Sequence, residues 1–106
     1  MNYLDEIAAQ VEAEIPLSMR PREQGQALYR LYALLALVVG EHVTSENVHD
    51  AWSVWMCGRS DDDHRSLVPF KHLTTEVQAS DLPFVHAIRR VAQRLPTEST
   101  DGSGSR

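Results

Sequence analysis

Leu28, Leu31, Tyr32, Leu34, Leu35, Val38 and Val39 recur at helical spacing but cover more than one side of a single helix. A helix apolar on several sides needs partners around it, so this segment is expected at the centre of a core. Its bounds are legible. Pro21 suits a first turn, where its missing N–H would lack a partner anyway, and Gly40 is a natural residue just past the end after Val39. Gly25 weakens the first turns by up to ~1 kcal/mol. A chain of 106 residues suits one domain in which surface dominates. Other amphipathic helices must therefore pack around the central one, or part of it must face a second copy of the chain.

The flanking segments supply such helices. Leu4, Ile7, Ala8, Val11 and Ile15 fall three and four apart, predicting a helix over Asn2 to Ile15 with Asn2 as its cap and Asp5 and Glu6 in the first turn. Pro16 ends it, and Leu17 to Arg20 reads as a connector. Thr44 or Ser45 opens a third helix that runs to about Cys57, with Val43 and Val48 placed to form a hydrophobic staple. Gly58 stops it, and Arg59 to Pro69 reads as a polar loop. A short helix is expected from Thr74 or Thr75 to Ala79. Ser80 or Asp81 opens a last helix with Pro83 in its first turn and a stripe of Phe84, Val85, Ile88, Val91, Ala92 and Leu95. No segment alternates with a two-residue period, so strands should be few and short. The expected fold is mostly α: a small domain of about five helices over 1–96, with an N-terminal helix pair in 1–44. Thr97 to Arg106 carries no apolar residue and reads as a disordered tail.

Bulk properties narrow the function. The net charge of −5 repels a phosphate backbone, so no nucleic-acid partner is expected. Cys57 is the single cysteine, which excludes an internal disulfide and a cysteine-rich metal site. The apolar run Ala33 to Val39 is far shorter than the roughly 20 residues of a membrane span. The opening residues lack the pattern of a secretory signal. A cytoplasmic protein without a membrane partner is the expectation. His49, His64, His72 and His86 lack the short fixed spacing of a zinc site. Asp61, Asp62 and Asp63 lack the spaced oxygens, turn glycine and distal Glu of a calcium loop. No nucleophile motif, glycine-rich phosphate loop or dinucleotide fingerprint occurs. Neither catalysis, a metal nor a cofactor is expected.

His49, Trp52 and Met56 stand at i, i+3 and i+7 of the third helix, with Trp55 widening that face. Two tryptophans so close together have two readings. The indoles can pack in the core, or they can stack on a nucleotide base, worth ~1–3 kcal/mol per base. A histidine in this setting either meets a phosphate or holds local structure by bonding a backbone carbonyl. Leu67-Val68-Pro69-Phe70 follows as an extended apolar segment, since Pro69 biases Val68 away from helix. Such a segment would lie across the third helix and fix its tryptophan face.

His49-x-x-Trp52, then His64, Leu67, Val68, Pro69, Phe70, Leu73 and Asp81 in that order, resembles the ryanodine-receptor (RYR) repeat domain over residues 46–95. The chain also resembles small proteins of actinobacteria and their phages, which share an N-terminal helix pair before the His-x-x-Trp helix. Met56 stands where that family usually has Lys or Arg, and Arg65 where it has Pro. The resemblance implies a ligand module and not an enzyme: one that takes an adenine nucleotide, or a cyclic-nucleotide or ADP-ribose-type signal, and in a phage sequesters a host immune signal. The base would be held by Trp52 and Trp55, with Pro69 and Phe70 as further wall. Its phosphate or ribose would meet His49, Arg59, His64, Arg65 and Lys71. The alternative is an assembly module, a homodimer through the second helix with both tryptophans in the core.

Overall fold

The computed structural model describes residues 2–21, 25–58 and 67–95. Arg59, His64, Arg65, the Asp61–Asp63 run and the tail from Thr97 lie outside them. The described chain is mostly helical and contains no strand. Its helices are α1 (Tyr3–Ala13), α2 (Gly25–Val38), α3 (Ser45–Cys57), α4 (Thr75–Ala79) and α5 (Leu82–Arg94), with 3-10 turns at Leu17–Met19, Gly40–His42 and Phe70–His72.

Local chemistry sets most boundaries. The Asn2 Oδ1 accepts the Asp5 N–H at 2.8 Å and starts α1. The helix ends two residues before the expected Ile15. There the backbone tightens, with Glu14 N–H bonding the Val11 carbonyl and Ile15 N–H the Glu12 carbonyl, ahead of Pro16. Leu17–Met19, expected as a plain connector, forms a 3-10 turn. For α2 the described helix begins at Gly25, so the expected start at Pro21 falls partly outside the described residues. It closes at Val38, and Gly40 takes the left-handed φ of 70° that a side chain would strain. A capping box opens α3. Thr44 Oγ1 accepts the Asn47 N–H at 3.2 Å, and Asn47 Oδ1 accepts the Thr44 N–H at 2.9 Å.

Helix α2 is central, packing on α1, α3 and α5. Leu28, Tyr29, Tyr32, Ala33 and Ala36 are buried there, whereas Leu34, Leu37 and Val38 remain exposed. Thus Leu34 and Val38 of the expected stripe do not enter the core, because three partner helices cover only part of the circumference. Ile7, Ala8 and Val11 of α1, Val48, Ala51, Trp55 and Met56 of α3, and Val85, Ala87, Ile88, Val91 and Ala92 of α5 join the same buried cluster. Val43, ahead of α3, is fully buried, and its carbonyl accepts the Arg89 Nε–H at 2.9 Å. Arg30 meets Asp5 at 2.7 Å, and Arg94 meets Glu14 at 3.0 Å. These exposed pairs add little, on the order of 0–1 kcal/mol each.

The apolar segment after the loop is less extended than expected. Val68 and Pro69 lack regular structure and are exposed, and Phe70 already begins a 3-10 turn. His72 N–H bonds the Pro69 carbonyl and Leu73 N–H the Phe70 carbonyl, so the chain curls as soon as the proline is passed.

Candidate functional site

His49 fixes this segment to α3. The residue is 4% exposed, and its Nε2 lies 2.7 Å from the Val68 carbonyl oxygen. A carbonyl only accepts, so Nε2 carries the proton that is donated. The ring stacks on Trp52 with centroids 5.6 Å apart and an interplanar angle of 26°. The Phe70 ring also lies beside it, with centroids 6.1 Å apart. Of the two roles open to it, His49 takes the carbonyl-bonding one, and it also orients Trp52. Gln78 adds a second tie, its Nε2 donating to the Phe70 carbonyl at 2.9 Å.

Trp55 is 8% exposed and belongs to the core cluster, whereas Trp52 is only half-buried against it. Both nonetheless line one cleft of about 430 Å³, within the usual range for a small-molecule site. α2 contributes Tyr32 and Leu28, and α3 contributes His49 and the two indoles. Asp81 and Phe84 come from the start of α5, and Ser18, Met19 and Arg20 from the turn after α1. Arg20 is held there because its Nε donates to the Ile15 carbonyl at 2.9 Å.

The electrostatics of the cleft centre on Asp81. It stands at the N-terminal boundary of α5, yet its side chain makes no capping hydrogen bond. Burial pushes its carboxyl up from 3.8 to about 6, with the nearby His49 acting in the opposite sense. Tyr32 is raised well above the usual phenol range, chiefly by burial and then by the Asp81 charge. The site thus holds a carboxylate at some cost, between aromatic walls, with an arginine on the same lining.

The cleft brings together His49, Trp52 and Trp55 of the residues singled out in the sequence. Phe70 reaches it only through the His49 ring, and Pro69 and Lys71 are exposed and do not line it. Arg20, Tyr32, Asp81 and Phe84 were not foreseen as site residues. Asp81 belonged to the motif and carried a signal. The others come from the helix pair outside the motif or from an apolar stripe, and had none. Among the described residues, no group of three or more His, Cys, Asp or Glu side chains could hold a metal ion. No described helix is long and apolar enough to cross a membrane.

The fold and cleft define a small helical domain with an aromatic-walled recess. Residues 2–93 match the family model described as Domain of unknown function (DUF7701), and the chain belongs to that family. No curated protein and no solved structure matches it.

Proposed function

We propose that this domain binds a nucleotide-derived small molecule without catalysis, in the cleft between α2, α3 and the start of α5. The observation that carries this reading is the convergence of Trp52 and Trp55 with Arg20 and Asp81 on one lining. Indole faces suit a purine ring, and a local guanidinium suits phosphate or ribose, outweighing distant screened charges of the acidic surface. The likeness of His49-x-x-Trp52 and Leu67-Val68-Pro69-Phe70 to RYR repeats supports a signalling nucleotide, held or sequestered and not turned over. Tryptophan fluorescence and calorimetry against linear and cyclic adenine and guanine nucleotides test it. Trp52, only half-buried, is the informative position: Trp52→Ala is expected to stay folded and lose the ligand. Silence across the whole panel overturns the reading.

A second reading, a homodimer through α2, is favoured by the exposed Leu34, Leu37 and Val38. It requires a mass that rises with protein concentration and falls for Leu37→Glu. A strictly monomeric protein across the accessible range rules it out.

A further inference from the structure

We infer that Asp81 reads the hydrogen-bonding edge of guanine in this cleft, so that the preferred ligand is a guanine nucleotide; the inference rests on the nucleotide reading above. Three helices of the chain begin with a side-chain oxygen spent on their own backbone: Asn2 on Asp5, Thr44 on Asn47, and Thr74 on Val77. The Asp81 carboxylate stands in the corresponding place before α5 and is not spent in this way. It instead lines the same recess as Trp52, Trp55 and Phe84.

Aromatic walls stack on any base, because every base has a π face. Selection therefore falls to whatever meets the base edge. An ionised carboxylate offers acceptors alone, on two oxygens side by side. Guanine presents two donors side by side, N1–H and the 2-amino group, which match that pair. Adenine presents one donor, its 6-amino group, next to the N1 lone pair, which a carboxylate repels. A buried polar group left facing the wrong edge is a strong source of discrimination. Among the described residues, Asp81 is the acidic side chain on the lining, and the Ser18 hydroxyl and Arg20 remain for ribose or phosphate.

The test uses the intact protein at pH 7.5 with GMP, IMP and AMP, followed by calorimetry and by the indole N–H resonances. GMP should bind best. IMP, which keeps N1–H but lacks the 2-amino group, should be weaker. AMP should be weaker than GMP by roughly 10- to 100-fold, the factor expected for a lost bidentate edge contact. Asp81→Asn presents one acceptor and one donor, so it should lose GMP and gain XMP, whose edge is N1–H beside a carbonyl. If AMP binds as well as GMP, or if folded Asp81→Asn binds GMP unchanged, the guanine assignment is overturned while nucleotide binding stands. If no nucleotide binds, both fall. The wild-type ranking decides the question by itself should the variant fail to fold.

Discussion

Asp81→Asn is expected to stabilise the ligand-free protein at neutral pH. A carboxyl whose ionisation midpoint moves from 3.8 to about 6 on folding is a group the native state protonates more readily than the unfolded chain does. Stability therefore falls as pH rises from 3.8 to about 6, and the full cost is present above that window. The shift corresponds to at most ~3 kcal/mol. Asp81 is only partly buried, and solvent screening reduces this to about 1 kcal/mol. Among the described residues, His49 from α3 opposes the shift, and Tyr32 from α2 and Arg20 after α1 line the same cleft. Asparagine keeps the shape and the capping preference while removing the charge. Thermal melts of both proteins should differ by roughly 4–8 °C in favour of Asp81→Asn at pH 7.5. The gap should narrow as pH is lowered through 6 towards 4. A variant less stable than the wild type at pH 7.5, or a gap that does not change with pH, refutes the burial argument. It would show that the field of the α5 N-terminus, or a contact made by the ionised form, outweighs desolvation.

His49→Leu should cost about 1 kcal/mol through loss of the bond to the Val68 carbonyl. Its signature is faster amide exchange over residues 67–73 with α1 and α2 unchanged, and uniform exchange across all helices would contradict it. Tyr29→Phe should be neutral or stabilise by about 1 kcal/mol in denaturant titrations, because the Tyr29 hydroxyl is buried with no hydrogen-bond partner among the described residues. A loss of more than that would mean the hydroxyl holds a partner.

The helical plan was legible because it rests on local signals. Apolar spacing places α1, α2, α3 and α5, and Asn2, Thr44, Gly40 and the prolines mark their ends. The exceptions are physical as well. Ile15 leaves α1 because the last turn tightens before Pro16, and Phe70 leaves the extended path because the chain curls after Pro69. The face of α3 that carries His49, Trp52 and Trp55 follows from spacing alone. The opposite wall of the cleft does not. Arg20 arrives by a backbone bond to Ile15, and Asp81 comes to face His49 only through the packing of α5 on α2 and α3. Periodicity says which side of a helix is apolar, but not which helices meet across it. For the same reason it could not tell that Trp55 is buried in the core while Trp52 is left half-covered.

On the nucleotide reading, a base enters the recess between Trp52, Trp55 and Asp81. Mapping backbone and indole N–H resonances during a GMP titration tests it most directly. Saturable shifts should concentrate at Arg20, Trp52, Trp55, Asp81 and Phe84 and be absent in Trp52→Ala. Shifts confined to Leu34, Leu37 and Val38, or none at millimolar GMP, would contradict it.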